Sequence, residues 1–400
     1  MKVLQLSTYP IKVPRHGGQI RVDQIGKKLQ SLGYDVKHLS FSELSHKYFN
    51  KESDFIMDDV LLRKEITTLY STDLATAIVC EKNTRCLNFL IENLKKFKPD
   101  FIFLEQPWLW PAVKKIRTSH PELINKIIYS SQNVEFLTKK TLFESNNVED
   151  IDDVVSKIED IEIDLLNNSS SVIACTKSDA EQFLSLALAD LQPIICPNGV
   201  SEFTKNSEVA ILRNQLKKKL GDKKYALFVG SAYPPNAQGF WDNLGHSMGW
   251  LSMDEFIFSV GGCSNILEHF MPKNRDISSY VNFDKIKRLG FVTDNELTAL
   301  IQEASVIILP ISDGGGSNLK TAEAILSGKP VVATKMACRG YDRIAEYSNF
   351  SIREPGTDFI NEVKRYLQLV PDELSVKELE LRKEVTWEHA LSSLGMIINT

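Results

Sequence analysis

The sequence predicts an α/β protein built of two doubly wound parallel-sheet domains. Three observations carry this. Short apolar runs rich in Val, Ile and Phe recur along the chain, the mark of strands buried on both faces. Segments of helical periodicity separate them, and turn residues stand at the strand ends. Finally, 400 residues exceed what one ordinary core organises, so two domains of roughly 200 residues each are the natural division.

The first strand is Lys2 to Ser7, too short an apolar run for a signal peptide. A loop from Pro10 leads to the pair Gly17-Gly18 and a helix with Ile20, Ile25 and Leu29 inward, stopped at Gly33. A glycine pair opening a helix after the first strand is a usual ligand position at the carboxyl end of a parallel sheet, with a plain turn as the competing reading. Tyr34 to Phe41 is the second strand, and residues 42–98 resolve only into a helix over Thr84–Phe97. Asp100 to Glu105 is a strand followed by Trp108 and Trp110 between prolines, readable as an acceptor-facing wall or as core. Lys126 to Ser130 is a strand delivering Ser131-Gln132-Asn133-Val134-Glu135, and residues 149–167 form an amphipathic helix with a solvated acidic face. Strands at Ser171–Cys175 and Pro193–Cys196 flank a short helix begun by Ser178-Asp179, and Pro197-Asn198-Gly199-Val200 closes a first domain of residues 1–200.

Residues 201–221 form a connection whose helix turns Leu212, Leu216 and Leu220 inward and leaves Lys217-Lys218-Lys219 as a solvated face rather than a membrane anchor. The second domain, 222–385, has strands at Tyr225–Ser231, Phe256–Val260, Ile286–Phe291, Val306–Pro310 and Pro330–Ala333. Residues 386–400 are expected as a C-terminal helix, with a return to the first domain as one placement open to it.

One stretch concentrates chemistry. Ile307 to Ile311 is a buried strand, Gly314-Gly315-Gly316 a tight turn, and Ser317-Asn318-Leu319-Lys320 the start of a helix stopped at Gly328. Open backbone N–H groups and the positive helix end make an anion site. Lys320 adds a charge that opposes the helix dipole, so a negative partner is expected, and Glu323 one turn on can accept hydrogen bonds from sugar hydroxyls. The bland reading is a glycine-rich connection that binds nothing; Gly-x-Gly-x-x-Gly and Gly-Lys-Ser/Thr motifs are both missing there. The favoured reading is a site for a sugar diphosphate.

Composition bounds the rest. Apolar residues are 43% and charged residues 25% of the chain, as in globular proteins. A net charge of −5 argues against general nucleic-acid binding, and no run approaches the ~18 apolar residues that span a bilayer. The six cysteines show no Cys-x-x-Cys pair, so buried reduced thiols in a cytoplasmic protein are expected, with neither zinc ligands nor disulfides.

Gly17-Gly18, Pro197-Asn198-Gly199-Val200, Phe228-Val229-Gly230-Ser231 with Pro234-Pro235-Asn236, Leu289-Gly290-Phe291-Val292-Thr293-Asp294 and the glycine-rich stretch together resemble the retaining GT-B glycosyltransferases of the family 4 type. The resemblance runs over nearly the whole chain and is most specific in the second domain. It implies two Rossmann-like domains facing a cleft and a nucleotide sugar held mainly by the second. It also implies transfer with retention to a glycan or lipid-linked acceptor, with no metal ion and no cofactor beyond the donor. A peripheral contact with the inner membrane face goes with that acceptor class.

The resemblance assigns roles residue by residue. Glu323 matches the glutamate that holds the ribose. Its partner, seven intervening residues earlier in the family, falls on Gly315, so that carboxylate is missing and Asp313 is the nearest replacement. Lys320 would neutralise the diphosphate, bound also around Gly316 and by the amides of Ser317, Asn318 and Leu319. Ser231 follows the strand where many members carry an arginine–lysine pair, which is Ala232-Tyr233 and onward here. Phe291 and Val292 would line the base, Gly17 would belong to the nucleotide-sugar site, and Gly18 would stand with the catalytic residues. Gln132 stands where many members have histidine before Asn-Val-Glu; glutamine donates a hydrogen bond but takes no proton, and His16 is a candidate substitute. A non-catalytic scaffold of the same fold and a sugar-nucleotide epimerase are the competing functions.

Overall fold

The computed structural model describes residues 1–14, 16–42, 50–57, 59–69, 71–145, 148–188, 191–271, 277–313, 317–371 and 373–396. The chain divides into two compact units, Met1–Pro197 with Ala390–Thr400, and Asn198–His389.

The first unit runs β1 (Lys2–Ser7), α1 (Gly17–Ser31), β2 (Asp35–Ser42), β3 (Asp54–Ile56), α2 (Asp59–Leu69), α3 (Thr72–Lys82), α4 (Thr84–Phe97), β4 (Phe101–Leu104), α5 (Trp110–Ser119), β5 (Lys126–Ser130), α6 (Glu135–Ser145), α7 (Asp152–Asn168), β6 (Ser171–Ala174), α8 (Lys177–Leu186) and β7 (Ile194–Ile195). Its sheet is parallel throughout, in the order β3-β2-β1-β4-β5-β6-β7. That order follows from right-handed crossovers that run outward from β1 one way and then return to continue the other way. Covered on both faces, its central strands bury both sides of the pleat, as the unbroken apolar runs Phe101–Leu104 and Ile127–Tyr129 require.

Helix α1 begins at the glycine pair, but its inner face differs by one position from the expected one. Val22, Ile25 and Leu29 are fully buried, while Ile20 is half-buried, because Gln19 and Arg21 turn inward on either side of it. Trp108 and Trp110 are core residues, 0% and 1% exposed, and the Trp110 indole N–H donates to Asp164 at 2.6 Å. The reading of these rings as an exposed wall is thereby corrected.

The second unit runs α9 (Ser207–Leu220), β8 (Lys224–Val229), α10 (Pro234–Leu244), β9 (Glu255–Val260), α11 (Cys263–Ile266), α12 (Ile277–Lys285), β10 (Ile286–Gly290), α13 (Asp294–Glu303), β11 (Val306–Leu309), α14 (Leu319–Ser327), β12 (Val331–Ala333), β13 (Phe350–Ile352), α15 (Thr357–Gln368), α16 (Val376–Arg382) and α17 (Trp387–Ala390). The strands pair in parallel in the order β10-β9-β8-β11-β12-β13. Two apolar clusters cover the faces of this sheet, one around Phe240, Trp241 and Phe359, the other around Tyr225, Leu300 and Ile301.

The chain end is not one long helix. It forms the four-residue α17 and then a 3₁₀ segment, Ser392–Met396, after Thr386, which is extended and bridges Val200 in parallel. The six cysteines are free thiols.

Helix α10 lies so close to the loop after β11 that a methyl group on Gly239 would sit 2.3 Å from the Pro310 carbonyl oxygen. Gly239→Ala should therefore lower stability by about 1–3 kcal/mol, the usual cost of overpacking. Urea midpoints of parent and variant measure this, and an unchanged midpoint would show that the helix shifts freely.

Candidate functional site

In the second sheet the connections leave β8 toward β9 and β10, then cross back to β11. The crevice at the carboxyl ends of β8 and β11 is therefore the switch point where open parallel sheets bind ligands. Gly230 and Ser231 leave β8 there, and Pro310 to Asp313 leave β11. Gly314, Gly315 and Gly316 lie outside the described residues. Beyond them Ser317 is buried and Asn318 caps α14, its side chain accepting from the Lys320 N–H at 3.0 Å. The first N–H groups of a helix have no acceptor inside it, so this helix end presents donors to the crevice. It stops at Gly328 in left-handed backbone, φ 69°.

Lys320 reaches across the switch point. Its ammonium donates to Asn236 Oδ1 at 3.3 Å, and the Asn236 amide donates to the Ser231 carbonyl and hydroxyl oxygens, both at 3.2 Å. The sequence thus places Ser231, Lys320 and the cap of α14 together, through an asparagine it singled out only for family likeness. Burial pushes the Lys320 ammonium below the ordinary lysine range, opposed by Cys263 and Glu323. Burial likewise lifts the Glu323 carboxyl to about 7, with Lys320 pulling the other way and Asp294 adding to the rise. Cys263 is pushed up to about 11 by burial, so its thiol stays protonated near neutrality.

A clamp fixes the segment after the glycines. Asn198 donates its backbone N–H to Ser317 Oγ at 2.7 Å and its side-chain amide to the Ser317 carbonyl at 2.8 Å. The Tyr341 hydroxyl donates to the Asn318 carbonyl at 2.8 Å. Asn198, at the start of the second unit, thereby fixes the segment that leads into α14. Phe291 and Val292 follow β10 at the same end of the sheet. Phe291 is 82% exposed. Leu319 is half-buried at the first turn of α14.

The first unit brings a second set together. At the carboxyl ends of β1 and β5, the Gln132 side-chain amide donates a short hydrogen bond to the Tyr9 hydroxyl. The Tyr9 ring meets the His16 ring edge-on, with centroids 4.9 Å apart. A methyl group on Gly18 would fall 2.6 Å from both Gln132 Oε1 and Tyr9 Oη, so glycine is what lets α1 approach this pair. Gly17 starts the helix, and exposed His16 caps it, Nδ1 accepting from the Gln19 N–H at 3.4 Å. Gln132, Gly18 and His16 are thus neighbours, and Tyr9 joins them unannounced. Behind them lie buried carboxyls. Glu135 is raised to about 8 and Glu162 to about 7, chiefly by burial. Glu105, whose Oε1 accepts from Gln5 at 2.6 Å, is raised to about 7 for the same reason. Burial also raises the Tyr9 phenol well above its usual range, so it stays neutral and free to donate.

Residues 223–368 match the family model described as Glycosyl transferases group 1, a match confined to the second unit. No curated protein sequence matches the chain. Among solved structures, the chain is similar to a sucrose-phosphate synthase from Thermosynechococcus elongatus, at 15% identity and TM-score 0.71, covering 100% of this chain and 98% of the other. It is also similar to Anabaena HepE solved with UDP and glucose, at 13% identity and TM-score 0.64, covering 100% and 99%. A third is WaaG, a glycosyltransferase involved in lipopolysaccharide biosynthesis, at 14% identity and TM-score 0.59, covering 99% and 98%. These likenesses establish the fold as that of the GT-B proteins, with a parallel α/β sheet in each unit. Among the described residues no helix is long and apolar enough to cross a membrane.

Nucleotide binding should titrate with Glu323. A carboxyl raised to about 7 becomes a charged acceptor as pH passes from 6 to 8, and only that form accepts from both ribose hydroxyls without giving up a proton. Uridine affinity should therefore rise across this window in the parent and stay flat in Glu323→Gln. Equal slopes in parent and variant, measured by calorimetry, would remove Glu323 from the ribose site.

Proposed function

We propose that the chain is a retaining, metal-independent glycosyltransferase that moves a sugar from a nucleotide-diphosphate donor to a glycan or lipid-linked acceptor. The observation that carries this reading is the placement of Lys320. Its ammonium is half-buried at the amino end of α14 and, among the described residues, hydrogen-bonds to a neutral amide oxygen at 3.3 Å and to no carboxylate. The cation and the helix end favour the same missing partner, an anion. The match over residues 223–368 supports a glycosyl transferase module around it. HepE, the similar structure solved with UDP and glucose, makes a uridine diphosphate sugar the first donor to try.

In this reading the base lies against Phe291 and Val292, Glu323 holds the ribose, and the diphosphate sits between Lys320 and the amides of Ser317, Asn318 and Leu319. As the bond from anomeric carbon to phosphate oxygen breaks, negative charge grows on the diphosphate, and a fixed cation stabilises that state more than the ground state. The acceptor oxygen forms the new bond on the same face. Its proton passes to the departing phosphate oxygen, since Gln132 takes none. Gln132 and Tyr9 orient hydroxyl groups by hydrogen bonds, with the Tyr9 phenol as donor. The diphosphate needs no metal ion in this scheme, because Lys320 and the helix end supply the positive field. The work is placed in the cytoplasm, with a peripheral contact to the inner membrane face for a lipid-linked acceptor.

A binding-only protein is the reading that Gln132 favours, and kinetics separate the two. Lys320→Ala should lower kcat by on the order of 100-fold while weakening donor binding less. Lys320→Arg should restore only part, because a planar fork replaces a point charge. Donor hydrolysis or transfer, measured beside nucleotide affinity, is the test. Turnover in Lys320→Ala equal to the parent's would take Lys320 out of the mechanism, and a parent that binds donor without turnover would make the protein a scaffold.

A further inference from the structure

A groove in the second unit extends from Phe291 and Val292, the proposed base contacts, to residues that take no part in the chemistry above. It has a volume of about 900 Å³, within the range of small-ligand sites, and runs between α9, α13 and the outer strands β9 and β10. Leu216 and Leu220 form one wall, Phe256 and Phe258 the floor, Ala299 and Leu300 the other wall. Phe283, Leu289 and Phe291 stand at its rim, 62%, 40% and 82% exposed. That is more unpaired apolar surface than a solvated sheet edge ordinarily leaves. Most of the lining is apolar, and Gln215, Lys219, Lys223, Lys287, Arg288 and Glu296 supply its polar groups, a composition that suits an apolar body with a charged end.

The groove is charged at one end. Lys223 precedes β8, Phe256 is the second residue of β9, and Lys285 and Lys287 bracket the start of β10. The ammonium groups of Lys223, Lys285 and Lys287 lie 5.7, 4.9 and 5.1 Å from the centroid of the single Phe256 ring. Lys219 adds a fourth cation to the lining. Lys285 also donates to the carbonyls of Ser252 and Met253. Some of the charge in and around the groove is answered: Lys287 by Asp284 at 3.4 Å and Arg288 by Glu268 at 2.7 Å. Glu296 in the lining is held by Thr293. Among the described residues no carboxylate pairs with Lys219, Lys223 or Lys285. Three ammonium groups around one ring repel one another, and a phosphate among them relieves that repulsion while each cation keeps its contact with the ring.

We propose that this groove binds an anionic single-chain amphiphile, an alkyl or isoprenyl monophosphate. Its phosphate sits on the lysines around Phe256, and its chain follows the β9–β10 face toward Phe291. The strand direction sets this polarity, because the lysines stand at the amino ends of the strands and Phe291 follows the carboxyl end of β10. The groove shares Phe291 with the proposed base site, and the inference rests on the lysines around Phe256, which take no part in that site.

Calorimetric titration of the full chain with monododecyl phosphate, below its micelle concentration, tests it. One site per chain is expected. Dodecyl maltoside and inorganic phosphate should each bind far more weakly, since each supplies only half of the recognition. Lys219→Glu with Lys223→Glu, two exposed lysines without ion pairs, should weaken binding by at least about tenfold and leave the thermal unfolding midpoint unchanged. Should that double variant fail to fold, Leu289→Gln at the rim should weaken binding by shortening the apolar track. Binding of monododecyl phosphate unchanged in these variants, or matched by dodecyl maltoside, would overturn the proposal. So would a reversible dimer that disappears in the double variant while monododecyl phosphate fails to bind, since a second copy of the chain would then be the occupant.

Discussion

A lysine in the first turn of a helix faces the wrong end of the helix dipole, and burying it costs more still. Lys320 accepts both penalties, and among the described residues its ammonium hydrogen-bonds to the Asn236 amide oxygen at 3.3 Å. Its surroundings hold that cation in place. Asn318 caps the helix so that its backbone points into the crevice, Asn198 and Tyr341 fix the segment before it, and Asn236 ties the lysine to the loop after β8.

The first unit solves a different problem with the same sheet. Its carboxyl-end groups include a phenol and an amide, with carboxyls raised by burial to about 7 or 8 behind them. Such groups can orient hydroxyls by hydrogen bonds.

The strands were legible because two-sided burial writes continuous apolar runs. Lys2–Ser7, Lys126–Ser130 and Thr84–Phe97 coincide with β1, β5 and α4. Edge strands β3 and β13 were not, since each has three residues, pairs with one neighbour only, and leaves no run to detect. Lys320, Ser317 and Asn318 could be read because a turn and a helix start are local. Asn236 and Tyr341 could not be given their roles, because their contacts to Lys320 and Asn318 span 84 and 23 residues of sequence and involve polar types found in any loop. Tyr9 escaped for the same reason, lying 123 residues from Gln132. The two tryptophans show the converse limit: their pattern fitted a wall or a core, and packing alone decided for the core.

The central claim is that the second unit holds a nucleoside diphosphate at Lys320. Thermal unfolding with UDP, GDP, ADP and dTDP tests it most directly, because a ligand bound only by the folded state at 100 times its Kd adds about 2.7 kcal/mol. The account predicts that one of the four raises the midpoint in the parent and does so far less in Lys320→Ala. No shift with any of them at millimolar concentration would contradict it.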